Sequence, residues 1–223
     1  MNNFNFIHID FSRFKVNRVV RHFVLADLLL FGGWGLVGPI FAIFLLERIS
    51  GISLVVIGAT SSIYWIVKSI VQIPVSLYLD KHEGERDDFY ALIASLVLAG
   101  FTAMSFLLVH SVSGLFAAMF LQGISFGLYI PSWYSIFSRH LDKDRYAFDW
   151  SLDSTSLGIA SGITALVGGT IANYIGFSAV FVLVSILSFA SALVLMALPN
   201  LIFPKPTAGK PVFADHTPTN IQK

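Results

Sequence analysis

Lys68 stands inside an apolar run, and Ser61, Tyr64, Trp65, Gln72 and Ser76 share its side of a helix. Steps of three, four and seven residues return to one helical face, so an ammonium, an amide, hydroxyls and two aromatic rings form one stripe. That chemistry suits recognition: the ammonium attracts an anionic or carboxylate-bearing solute while the amide and rings orient its body. The other reading is a structural lysine satisfied by a carbonyl or a carboxylate. A second stripe, Gln122, Ser125, Tyr129, Ser132 and Trp133, is polar and aromatic without charge. It lines a pathway or hydrogen-bonds helix to helix. Asp27, one turn inside the first apolar run, could couple a cation on that pathway or pair with Arg21 or a neighbouring loop. The expected solute pathway therefore comprises Lys68, Tyr64, Trp65, Gln72, Gln122, Tyr129, Trp133 and Asp27.

Bond-making chemistry fits less well. The stretch Gly123 to Gly127, "GISFG", has the Gly-x-Ser-x-Gly spacing of a nucleophilic serine, but that pattern needs a strand, a sharp turn and a histidine base. Here it lies within an apolar helix, and the histidines (His8, His22, His82, His110, His140 and His216) fall in flanks, loops or helix ends. With no cysteine there is neither a disulfide nor a thiolate metal site. The chain is expected to be no enzyme, with no catalytic residue, cofactor, metal or nucleic-acid partner.

The elements that must position these residues are apolar blocks. Hydrophobic residues make up 56% of the 223 and charged ones only 12%, against about 25% charged in soluble domains. Spans are read at Phe23–Leu46, Ile52–Leu79, Phe89–Val109, Val112–Ser138, Trp150–Tyr174 and Gly176–Leu198, each meeting the requirement of about 20 residues. The expected fold is an all-α integral membrane protein with six transmembrane helices. Lys68 then lies roughly twelve residues, or ~18 Å, from the charged end of its span, near the middle of a ~30 Å hydrocarbon core.

Charge sets the orientation. Arg13, Lys15, Arg18 and Arg21 precede the first span; Lys81 and Arg86 follow the second; Arg139, Lys143 and Arg145 follow the fourth; Lys205, Lys210 and Lys223 follow the sixth. All of these fall on one side, whereas the other side holds only Arg48. The positive-inside rule puts both termini in the cytoplasm, and the plasma (inner) membrane is the expected location. No cleavable signal peptide is expected, because the first apolar run is too long for one. Asp149 and Asp153 open the fifth span, where carboxylates favour the helix dipole. The pairs Gly123/Gly127 and Gly158/Gly162 read as close helix contacts.

Between the second and third spans, "SLYLDKHEGERDDF" combines carboxylates, guanidinium and glycine in a short reversal. Such a loop can latch helices together by ion pairs. At this loop the sequence resembles the major facilitator superfamily of secondary transporters, specifically its amino-terminal six-helix half. The family pattern Gly-x-x-x-Asp-(Arg/Lys)-x-Gly-(Arg/Lys)-(Arg/Lys) is met by Asp80, Lys81, Gly84 and Arg86, with Ser76 for the first glycine and one extra residue before Gly84. Further resemblance lies in "GLVGPIFAIFLLERI" of the first span, "LQGISFGLYIPSW" of the fourth and "GGTIANYIGFSAVF" joining the last two. Two departures fail to support proton antiport: Met119 stands where the family often has arginine, and "TALVGG" replaces Gly-Pro-x-x-Gly-Gly.

The resemblance implies transport of a small solute by alternating access, with Asp80, Lys81, Gly84 and Arg86 as a cytoplasmic latch. It also implies twelve helices where this chain has six. Because the family's halves are parallel repeats, two copies could make the full body as a homodimer through helices two and five, with both Lys68 side chains near a shared cavity. The rivals are a separate second half, a fragment of a longer chain, and a non-transporting membrane scaffold or subunit. Domains are read as 1–22, a cytoplasmic segment that is an amphipathic surface helix or a disordered leader; 23–199, the transmembrane domain; and 200–223, a disordered tail.

Overall fold

The computed structural model describes residues 17–81 and 85–197. The expected leader helix within residues 1–16, Gly84 and the tail lie outside the described residues. Within them the regular structure is all helical: α1 (Arg18–Val37), α2 (Phe41–Arg48), α3 (Leu54–Lys81), α4 (Arg86–Ser105), α5 (Val112–Arg139), α6 (Tyr146–Tyr174) and α7 (Phe177–Met196). A 3-10 turn at Gly38–Ile40 joins α1 to α2 into one span, so six segments are long and apolar enough to cross a membrane. Pro39 falls in that turn, where its missing N–H removes a helical hydrogen bond.

Several helices run beyond the hydropathic blocks at their polar ends. Hydropathy marks the hydrocarbon slab, whereas a helix continues until its terminal backbone groups find partners. The first helix begins at Arg18, five residues before the expected Phe23, because the Asn17 side chain accepts a hydrogen bond from Val19 N at 3.0 Å. The α4 helix starts at Arg86 with Asp87 and Asp88 in its first turn, and α5 ends with Arg139 in its last. Both placements suit the helix dipole. Ser111 caps α5 by accepting from Gly114 N, and Gly176, at φ 106°, makes the reversal between α6 and α7.

Side by side, the helices run α3, α5, α4, α7, α1, α6, an arc whose ends are α3 and α6. Glycine sets the closest approaches. A Cβ on Gly123 would lie 2.7 Å from Val67 Cβ, and one on Gly127 2.8 Å from Val71 Cβ, so α3 seats directly on α5. At the other end Gly168 of α6 lies against the Leu36 carbonyl of α1. The matching pair Gly158/Gly162 meets nothing within 4 Å and faces away from the arc.

Two apolar layers fill the arc. The layer toward the chain termini is built on Phe23, Leu92, Leu96, Trp133 and Phe137, and the opposite one on Leu36, Leu45, Phe106, Leu115 and Phe181. Trp34 and Tyr64 touch both layers. At the end opposite the termini, Arg48 donates from Nε to Val109 O at 3.1 Å and from an Nη to Leu107 O at 2.9 Å. That guanidinium fastens the first span to the end of the third.

Replacing Gly127 with Val forces α3 off α5 and costs about 1–3 kcal/mol as an overpacked contact. Gly162→Val, which points into open space within one copy, is expected to stay within about 0.5 kcal/mol in a monomeric preparation. Thermal unfolding of the two detergent-purified variants separates them, and equal losses would contradict this packing.

Candidate functional site

Lys68 is fourteen residues from Leu54 and thirteen from Lys81, which puts it ~20 Å from either end of α3 at helical rise. Its ammonium is half-buried, with Nζ 4.6 Å from the centre of the Trp65 ring and 5.9 Å from that of Tyr64. Both distances are within cation–π range. Among the described residues no carboxylate forms an ion pair with it.

One turn from Lys68, toward the end opposite the termini, lies a cavity of about 290 Å³ between the first span, α3 and α5. Its aromatic walls are Phe31, Trp34, Phe41, Tyr64, Trp65 and Phe126. Ser61 and Gln122 supply the polar side chains on the wall, and none of the lining residues is charged. The rings meet edge to face: Trp34 on Phe126 at 5.8 Å and 78°, Tyr64 on Phe126 at 6.0 Å and 79°, and Tyr64 on Trp65 at 5.1 Å and 67°. Aromatic quadrupoles favour that arrangement, which stiffens the wall.

The structure thus gathers Lys68, Tyr64, Trp65 and Gln122 of the expected pathway at one place and distributes the others. Gln72 lies in a separate groove of about 480 Å³ between α3 and α5, together with Ser76, Asp80, Tyr134, Ser135 and Arg139. Tyr129 and Trp133 are buried in the layer toward the termini, Tyr129 edge-on to Phe31 at 5.9 Å and Trp133 stacked on Phe137 at 4.3 Å. Asp27 is 3% exposed at the seam of α1 and α6, with Asp153 rather than Arg21 as its charged neighbour. Asp149 and Asp153 are buried as well, and each of these three carboxyl groups keeps one oxygen without a hydrogen bond. Sequence reasoning did not select Phe31, Trp34, Phe41 or Phe126. The 3, 4, 3 spacing of Phe31, Trp34, Gly38 and Phe41 was the available signal for the first three.

Ser125 is 1% exposed and donates its hydroxyl to Ser95 O at 2.9 Å, which fastens α5 to α4. Its place in the "GISFG" stretch is explained by that bond and by the glycine contacts on either side.

At the face nearer the termini, Asp80 and Lys81 end α3 and Arg86 opens α4, all exposed. One ion pair and one contact that is an ion pair only when its imidazole is protonated join the start of α4 to the end of α5 there. Arg139 donates to Asp88 Oδ2 at 2.8 Å, and His140 Nδ1 is 3.7 Å from Glu85 Oε1. Asn17 extends the network by donating from Nδ2 to His140 O at 3.1 Å, and Asp149 Oδ2 accepts from Asp142 N at 2.9 Å. The starts of α1, α4 and α6 are in this way tied to the end of α5.

Six helices long and apolar enough to cross a membrane, with an aromatic cavity between the first span, α3 and α5, define an integral membrane protein. The sequence model of the Major Facilitator Superfamily matches residues 23–221, and the chain belongs to that superfamily. Its six helices correspond to one half of the family's twelve-helix body. No curated protein matches the chain.

Burial raises the Glu85 carboxyl above its usual range; His140 and Arg139 oppose the rise and Asp88 adds to it. A group with a raised native pKa holds protons more tightly in the folded state, so its contribution is fully present below its unfolded value of about 4.3 and is lost as pH rises through the native value. Thermal unfolding between pH 4 and pH 7 is expected to show that slope in the wild type and a flatter one in Glu85→Gln. Parallel curves would count against the assignment.

Proposed function

We propose that this chain moves a small anionic solute across the plasma membrane by alternating access, with Lys68 holding the solute at mid-membrane. The observation that carries the reading is Lys68 itself: mid-helix, half-buried, without a carboxylate partner and beside an aromatic cavity. A lysine at that depth costs ~3 kcal/mol on insertion scales, and such residues mark substrate pathways more often than they face lipid. A packed scaffold would instead pair it. Tyr64, Trp65 and Gln122 orient the solute. Gln72 and Asp80, in the groove nearer the termini, continue the route, and Asp80, Lys81, Gly84 and Arg86 act as the latch. Asp27, Tyr129 and Trp133 sit behind the path and govern how its walls move. The charge distribution of the loops supports cytoplasmic termini.

The arc supplies half of a rocking machine, and we assign the other half to a second copy. The α3 and α6 helices, at its ends, present uncovered apolar faces, including Ile66, Ile70 and Ile73 on α3 and Ile159, Ile163 and Leu166 on α6. Gly158 and Gly162 add a flat strip to the α6 face. Parallel repeats about an axis along the membrane normal need no inversion of either copy, and closed twofold dimers are the commonest oligomers.

Lys68→Met is expected to abolish solute binding while leaving thermal stability unchanged or raised, because a costly charge is removed without orphaning a partner. Solute-dependent thermal shift of the purified protein measures both, and undiminished binding by the variant would remove Lys68 from the mechanism. Single cysteines placed along α3 and α6 in native membranes are expected to give disulfide-linked dimers from one face of each helix. A monomer mass in mild detergent with no face-specific crosslink would defeat the homodimer and favour a different second half.

A further inference from the structure

We infer that the solute held beside Lys68 is a single-ring aromatic monocarboxylate. This rests on the reading of Lys68 as the solute site and narrows it from anions in general to one chemical class.

Charge comes first. No residue lining the cavity is charged, and Lys68, whose ammonium lies over two of the wall rings, Tyr64 and Trp65, brings a positive charge beside it. One ammonium balances one negative charge. A second charge on the solute would enter the low-dielectric site without a partner, and a cation would meet repulsion. The geometry of the anchor agrees with this. Lysine presents a point charge suited to a single carboxylate, and no arginine fork is present on the wall to grip a phosphate in bidentate fashion.

The body of the solute follows from the wall. Six rings line the space, and Trp34 and Tyr64 each meet Phe126 edge to face. A planar ring entering the gap can continue that pattern, with its edge on one wall face and its own face toward another edge. An aliphatic body of the same area gains burial without the quadrupole contribution. Size sets the limit: about 290 Å³ is at the small end of ligand sites and equals roughly ten waters of liquid volume. One ring with a short carboxylate arm matches that volume, and a fused polycyclic acid would extend beyond it. Gln122 and Ser61 can then hydrogen-bond a ring substituent or the second carboxylate oxygen.

Resting the ammonium on Trp65 and Tyr64 explains how the site waits for its ligand. The two ring faces hold the cation by π attraction, and a carboxylate displaces that weaker interaction with a charge-assisted hydrogen bond. Because Trp65 is 58% exposed in this chain, its replacement removes a ring from the site without emptying the core.

The test uses the full chain in lipid nanodiscs, titrated with phenylacetate, cyclohexylacetate, the dianion phthalate and the cation benzylamine, with binding read by calorimetry. Phenylacetate is expected to bind about tenfold tighter than cyclohexylacetate, an advantage of the size that aromatic pairs contribute beyond area. Phthalate and benzylamine are expected not to compete with it. Lys68→Met should lose both monoacids, and Trp65→Leu should keep both while narrowing their ratio. Equal affinity for the two monoacids, or tighter binding of phthalate, would overturn the aromatic monocarboxylate while leaving Lys68 as an anion site. Binding of neither monoacid, or the same affinities in Lys68→Met, would overturn the reading of Lys68 and this class with it.

Discussion

A cation at the centre of a hydrocarbon slab must be given water, an opposite charge or a polarisable surface, and the architecture of this protein follows from how Lys68 is accommodated. No carboxylate is brought to it among the described residues. It rests instead on two aromatic faces at the rim of a cavity. That arrangement is tenable because α3 stands at the end of the arc. Gly123 and Gly127 let its Val67 and Val71 side sit deep on α5, and Lys68 is left at the margin of that contact. A larger residue at either glycine would lift α3 and change what the ammonium meets.

The same packing explains why the two ends of the arc differ. At the α3 end, close glycine contact is spent inside the chain. At the α6 end, Gly168 is used against α1, whereas Gly158 and Gly162 are left facing outward. Between the ends, the network of Asn17, Glu85, Asp88, Arg139, His140 and Asp149 ties the starts of α1, α4 and α6 to the end of α5 on one face, and Arg48 ties the first span to the end of the third on the other. The bundle is therefore fastened near both ends of its helices.

How much of this could be read in the sequence depends on the physical scale of each feature. The six spans are a property of consecutive residues, so hydropathy located them to within a few positions and erred mainly at the polar starts of α1, α4 and α6, where Arg18, Arg86 and Tyr146 open the helices before the expected Phe23, Phe89 and Trp150. The grouping of Lys68 with Tyr64 and Trp65 is likewise local, since one helical turn joins them. Helix partners are not local. In a membrane both the core and the lipid are apolar, so periodicity does not separate inward from outward faces as it does in water. Tyr129 and Trp133 share a stripe with Gln122, yet they are packed against Phe31 and Phe137 rather than at the cavity. Gly158/Gly162 has the spacing of Gly123/Gly127 and the opposite environment. The meeting of Asp27 with Asp153 requires knowing that α1 lies against α6, which neither segment states by itself.

The most direct measurement is the chemical accessibility of position 68. The native chain contains no cysteine, so Lys68→Cys is a unique label. In native membranes that thiol is predicted to react with a small, charged, membrane-impermeant methanethiosulfonate, as the proposed solute path beside Lys68 requires. Reaction only with a lipid-soluble maleimide, and none with the charged reagent applied from either side, would place residue 68 against lipid or sealed protein and contradict the account.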